Sequence, residues 1–192
     1  MPPILAIVGR SNTGKSSLCR LLAPQFKKKI RVGKAPGVTR RINTYPVGEY
    51  FIHDLPGFGY MKHSSKKEED RVKDEIIAFL ETNADEIFLA VHVINLEAFR
   101  RIYEKYKHDS VPFDNEMLAF LLELEIPTVV LGNKVDKFKH HEREREMAFL
   151  KEKLIETTMG RFPPRKIIPF STRTREGLDT LEKMIEMRLR RS

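Results

Sequence analysis

The stretch Gly9-Arg10-Ser11-Asn12-Thr13-Gly14-Lys15-Ser16 constrains this chain more than any other. It fits the pattern G-x-x-x-x-G-K-[ST], and its surroundings fit as well. The apolar run Ile4-Leu5-Ala6-Ile7-Val8 before it reads as a buried strand, and Ser17-Leu18-Cys19-Arg20-Leu21-Leu22 after it reads as a helix that Pro24 stops. A helix N-terminus presents unpaired N–H groups and partial positive charge, so a loop placed there cradles a phosphate. The glycines let the main chain close around the anion where a Cβ would interfere. Lys15 is then expected to reach the β- and γ-phosphates, and the Ser16 hydroxyl to ligate Mg2+.

The rest of the chain supplies a sheet for this loop. Ile42 to Val47 and Tyr50 to His53 read as strands joined by a turn at Gly48-Glu49, and Asp54-Leu55-Pro56-Gly57 follows as a second glycine-containing loop. Ile87 to Ile94, Thr128 to Leu131 and Lys166 to Phe170 read as three further strands, the last placed near an edge by Pro169. Helical spacing of apolar residues marks Lys66 to Glu81, Leu96 to Lys107, Met117 to Leu124, His140 to Thr157 and a final helix through Leu178, Leu181, Ile185 and Leu189. Asp109 to Asp114 reads as a loop. Alternating strands and helices imply an α/β fold with a mostly parallel six-stranded sheet and helices on both faces. Ligands bind such sheets at the carboxyl ends of the strands, where the phosphate loop and the Asp54 and Asn133 segments all fall.

The length of 192 residues suits one domain, residues 1–192. The longest apolar run, Ile87 to Ile94, is far too short to cross a bilayer, and no leader-like segment opens the chain, so no membrane partner and a cytoplasmic location are expected. The single cysteine, Cys19, forms no disulfide framework and reads as core packing. Lys and Arg outnumber Asp and Glu by 35 to 27, and a net charge of +8 favours an anionic partner such as RNA. The sign-alternating run Glu142-Arg143-Glu144-Arg145-Glu146 is equally what a well-solvated or heat-adapted surface carries.

The motifs after the strands select a nucleotide. Asp54 is placed to hold Mg2+ through water, and the Gly57 N–H to meet a γ-phosphate. In Asn133-Lys134-Val135-Asp136, the Asp136 carboxylate can accept two hydrogen bonds from the N1–H and N2–H2 edge of guanine, which adenine cannot offer. Asn133 would brace the loop, and the Lys134 stem would cover a ring face. In Ser171-Thr172-Arg173 a backbone N–H, that of Thr172, is expected at the guanine O6.

Taken in order, Gly9 to Leu18 (including Ser17), Pro36-Gly37-Val38-Thr39-Arg40, Asp54-Leu55-Pro56-Gly57-Phe58-Gly59-Tyr60 and Asn133-Lys134-Val135-Asp136 resemble the EngB (YihA/YsxC) family of GTP-binding proteins over the whole chain. Asn95 to Asp114 departs from the bacterial form and looks more like archaeal members. The resemblance implies a Ras-like P-loop GTPase domain that binds GTP and GDP with Mg2+. It also implies nucleotide contacts from Gly37, Val38 and Thr39, and a role in assembly of the large ribosomal subunit. Thr39 lies in a basic loop from Gln25 to Arg41 and would join Ser16 and Asp54 around Mg2+ only when the γ-phosphate is present.

Ras-like enzymes place a water-orienting glutamine just after Asp-x-x-Gly; here Phe58 stands there, so slow intrinsic hydrolysis is expected. Catalysis would rest on Lys15, Thr39, the Gly57 amide and Asn12, which occupies the loop position where related GTPases coordinate K+. A monomer docking on rRNA through Lys27, Lys28, Lys29, Arg31, Arg40 and Arg41 would couple nucleotide state to association. Arg188, Arg190, Arg191 and the Leu96–Lys107 helix are further basic candidates. The rival readings are a P-loop kinase or ATPase, the same domain used in tRNA modification or as a cell-division-linked switch, and a nucleotide sensor without turnover.

Overall fold

The computed structural model describes residues 2–30, 41–57, 66–108 and 111–191. Its strands are β1 (Ile4–Val8), β2 (Asn43–Val47), β3 (Tyr50–Asp54), β4 (Ile87–Asn95), β5 (Thr128–Asn133) and β6 (Ile167–Phe170). They form one six-stranded sheet in the order β2-β3-β1-β4-β5-β6. Only the β2–β3 hairpin is antiparallel. Its turn falls at Gly48-Glu49, and Gly48 takes a left-handed φ of 56° that glycine adopts without strain. The helices are α1 (Lys15–Leu22), α2 (Lys66–Thr82), α3 (Leu96–Tyr106), α4 (Phe113–Glu123), α5 (His140–Thr157) and α6 (Leu178–Leu189).

Burial on both faces explains why β1 and β4 read as nearly unbroken apolar runs. Alternate β1 side chains point to opposite sides. Leu5 and Ile7 pack with Leu18 of α1 and with Leu181 and Ile185 of α6, whereas Ile4, Ala6 and Val8 meet Val72, Ile76 and Leu80 of α2 and Met117 of α4. A third apolar cluster joins Val130 and Ile167 to Phe99 of α3 and to Leu150 and Leu154 of α5. Full burial of each such side chain contributes roughly 1.5–3 kcal/mol. Cys19 belongs to the first cluster as expected.

The outer strands β2 and β6 both carry proline, at Pro46 and Pro169. Proline lacks the N–H that a central strand needs, which fits their positions at the rims.

Four boundaries differ instructively from the expectation. β3, β4 and β5 run on to Asp54, Asn95 and Asn133, because the parallel ladder pairs Asp54 with Ile7, Asn95 with Asn133, and Asn133 with Phe170. The strands thereby deliver the polar groups to the sheet's carboxyl edge. Asp114, read as part of a loop, instead lies in the first turn of α4 after Pro112 and is buried. It faces the equally buried His92 of β4, with Nε2 and Oδ1 3.6 Å apart. No described helix is long and apolar enough to cross a membrane.

Candidate functional site

The phosphate loop bends through three left-handed residues, Gly9 (φ 145°), Asn12 (φ 63°) and Gly14 (φ 109°). Two are glycines for steric reasons. A Cβ on Gly9 would lie 2.3 Å from the Val93 carbonyl oxygen, and one on Gly14 would lie 2.2 Å from Asn133 Nδ2. Gly14 is the N-cap of α1 and has no side chain to occupy the N–H groups of the first turn, which leaves them directed at an incoming anion. Arg10 and Ser11 form the loop's wall and exposed Asn12 its outer corner; Ser17 follows Ser16 in the first turn of α1.

Inside the loop, Lys15 is buried and folds back so that Nζ donates to the Arg10 carbonyl at 3.0 Å. Thr13 Oγ1 donates to the same oxygen at 3.0 Å. Burial lowers the Lys15 pKa, and the Asp54 carboxylate opposes that shift. Asp54 is itself buried, which raises its pKa, while Lys15, Ser16 and the Cys19 thiol counteract the rise. Ser16 Oγ donates to Asp54 Oδ2 at 2.8 Å. Asp54 Oδ1 is buried without a hydrogen-bond partner. A hydroxyl and a carboxylate side by side, with one carboxylate oxygen unsatisfied, are hard oxygen donors of the kind Mg2+ takes alongside phosphate oxygens and water. The residues present therefore fit the cation.

The segment after β3 docks on the loop. Leu55 and Pro56 are buried, and the Leu55 N–H donates to the Ile7 carbonyl at 3.1 Å. Ser11 Oγ donates to the Gly57 carbonyl at 3.1 Å. A Cβ on Gly57 would come within 2.8 Å of Ser11 Cα, so glycine is required here for contact with the loop. The Ser11–Gly57 tie has no signal in the sequence.

On the far side, Asn133 links three segments. Its Nδ2 donates to the Thr13 carbonyl at 2.6 Å, and its Oδ1 accepts from the Thr172 N–H at 3.0 Å. The amide expected to meet a guanine O6 is thus engaged by Asn133. Ser171 Oγ meanwhile accepts from the N–H groups of Arg173 at 3.2 Å and Thr174 at 3.1 Å, which organises the turn around that hydroxyl. Ser171 Oγ donates to Asp136 Oδ1 at 2.7 Å, and the Arg173 guanidinium lies 3.7 Å from Oδ2. Asp136 is therefore held in a fixed orientation. Lys134 takes a left-handed φ of 74°, which turns the chain sharply enough to present both Asn133 and Asp136, and Val135 anchors the turn in the core. Partial burial lowers the Lys134 pKa. Gly37, Val38, Thr39 and Phe58 lie outside the described residues.

A glycine loop opening a helix, a carboxylate beside the loop serine, and an aspartate braced for a purine edge at the strands' carboxyl ends together define a Ras-like P-loop GTPase domain. Residues 4–134 match the family model described as "50S ribosome-binding GTPase". A Methanococcus maripaludis protein named "Probable GTP-binding protein EngB" is 37% identical over 97% of this chain and 80% of its own. Its Pyrococcus abyssi namesake is 40% identical over 94% of this chain and 83% of its own. A crystal structure of a similarly named engB protein superposes with a TM-score of 0.81 at 34% identity, covering 98% of this chain and 99% of that one. The chain belongs to the EngB family of GTP-binding proteins.

Proposed function

We propose that this chain is a Mg2+-dependent GTP/GDP switch that hydrolyses GTP slowly and docks as a monomer on the large ribosomal subunit or its rRNA during assembly. The observation that carries the nucleotide reading is Asn133, whose side chain ties the phosphate loop at Thr13 to the base-reading turn at Thr172. Phosphate and guanine recognition are thereby held in one frame. An adenine-using kinase or ATPase has no use for the pre-oriented Asp136 carboxylate.

Water attacks the γ-phosphorus, the bond to the β–γ bridging oxygen breaks, and GDP leaves with inorganic phosphate. Lys15, released from the Arg10 carbonyl, neutralises charge on the β- and γ-oxygens, and the α1 amides hold the phosphate chain. Ser16 and Asp54 would hold Mg2+, with Thr39 from the basic loop, and the cation would supply further charge neutralisation. The Gly57 N–H would meet the γ-phosphate. Phe58 offers no hydrogen bond to the attacking water, hence the slow rate.

Exposed Asn12, at the outer corner of the loop, fits a K+ ligand. A G domain of the same fold, NFeoB from S. thermophilus, was crystallised with GDP.AlF4- and K+. Hydrolysis is expected to run several-fold faster in KCl than in NaCl at equal ionic strength, and Asn12→Ala to remove the difference. Equal rates in the two salts would end the K+ reading.

The ribosomal role draws support from the matched model's description, from the net charge of +8, and from Era, a protein of the same fold crystallised with a 16S rRNA fragment. Its test is co-sedimentation with ribosomal particles, comparing a non-hydrolysable GTP analogue with GDP at two salt concentrations. Large-subunit binding that survives the higher salt only with the analogue is expected. Binding in both states that salt removes is non-specific phosphate attraction and contradicts the assembly role.

A further inference from the structure

At the pole opposite the nucleotide site lies a groove of about 220 Å³. Its floor is the start of β4 and β5, at Leu89 and Thr128. Its walls are Arg165 and Lys166, just before β6, Met184, Met187 and Arg188 on one stripe of α6, and Arg191 just after that helix. Four cations thus converge on one depression with no acidic residue in its lining. Among the described residues none of the four is paired with a carboxylate. Several basic side chains elsewhere are paired, as in Arg143–Glu176, Arg100–Glu146 and Lys153–Glu156. The Lys166 ammonium is partly desolvated, and both Arg188 and Arg165 repel it, so its pKa is lowered. Unrelieved repulsion of this kind is relieved by an anion.

We propose that this groove is a docking site for the phosphodiester backbone of RNA that works independently of the bound nucleotide. The inference rests on the RNA-directed reading above and adds a second pole to it. The groove is smaller than the roughly 300–1,000 Å³ of pockets that enclose a small-molecule ligand. It therefore suits one or two phosphate groups of a larger molecule. Arginine pairs favour phosphate through their fork of N–H donors. A lipid surface would need a broad apolar face to insert, and Met187 is the one large apolar side chain of the groove that is mostly exposed, at 56%. The contact is expected to ignore GTP and GDP, because β5 separates the groove from Asn133 by roughly 17 Å at about 3.3 Å per residue.

The test titrates a labelled RNA duplex of about 20 base pairs with the full chain, between roughly 50 and 200 mM salt, in both nucleotide states. The Arg165→Ala/Arg188→Ala double variant should bind on the order of ten-fold or more weakly and lower the salt slope by about two. Lys73→Ala, on α2 against the opposite face of the sheet from α6, should behave as the parent chain does, and GDP affinity should be unchanged in both variants. Equal RNA affinity of double variant and parent would overturn the proposal, as would a parent chain that fails to bind the duplex. Tight binding to phosphatidylglycerol vesicles that the double variant loses, with RNA binding unaltered, would assign the groove to a membrane instead. If the duplex binds through the groove while large subunits are not bound, the ribosomal reading falls and the groove stands.

Discussion

Asp136→Asn is expected to cost this protein its guanine nucleotides while leaving it folded. The carboxylate is nearly buried and fixed by Ser171 at 2.7 Å, with Arg173 beside its other oxygen. An amide keeps one acceptor for the Ser171 hydroxyl, so the unfolding temperature should move little. It also puts an NH2 group where the two donors of the guanine edge arrive, and donor against donor in a desolvated site is strongly unfavourable. Sites that read a hydrogen-bonding edge discriminate by 10⁴–10⁵, so a loss of GDP affinity on the order of 10⁴-fold is expected. Xanthine carries a carbonyl where guanine carries its exocyclic amine, and its diphosphate should bind the variant better than GDP does. Displacement of a fluorescent nucleotide measures both. GDP affinity within about ten-fold of the parent chain would remove Asp136 from base recognition.

Asn133→Ala should damage stability and binding together. The side chain is fully buried and satisfies the Thr13 carbonyl and the Thr172 N–H. Removing it leaves two backbone groups unpaired, at about 1–3 kcal/mol each, and frees the loops it joins. The expected destabilisation of about 2–6 kcal/mol lowers the melting temperature by roughly 4–24 °C at this chain length. Saturating GDP should raise the variant's melting temperature less than the parent's, because a bound ligand stabilises in proportion to its affinity. A variant that melts with the parent, with and without GDP, would show that the bridge is incidental.

Much of this was legible in the sequence because its signals are local. Strand, glycine loop and helix lie within about twenty consecutive positions, from Ile4 to Leu22, and the fully buried strands announce themselves as apolar runs. Strand ends were misplaced because ladder register is set by neighbours: nothing near Asn133 reveals that Asn95 and Phe170 flank it. The ties that assemble the site are tertiary for the same reason. Ser11 meets Gly57 across 46 positions, and Asn133 meets Thr13 across 120. The bond from the Thr172 N–H to Asn133 Oδ1 is hidden for the same reason: a motif specifies which residues gather, whereas the hydrogen bonds among them depend on loop geometry. Asp114 reads as a loop residue in the sequence, yet Pro112 just before a first turn is compatible with helix entry, and the buried His92 opposite gives Asp114 a polar neighbour there.

The two rim prolines have a consequence beyond their own strands. An open sheet exposes rows of N–H and C=O groups at both margins, and another extended polypeptide can zip onto such a margin. Pro46 interrupts the donor row on one side and Pro169 on the other. Extended polypeptides that meet such a sheet are strands seeking a partner. Both of its margins are poor templates for them, so this sheet resists being drawn into another protein's misfolding.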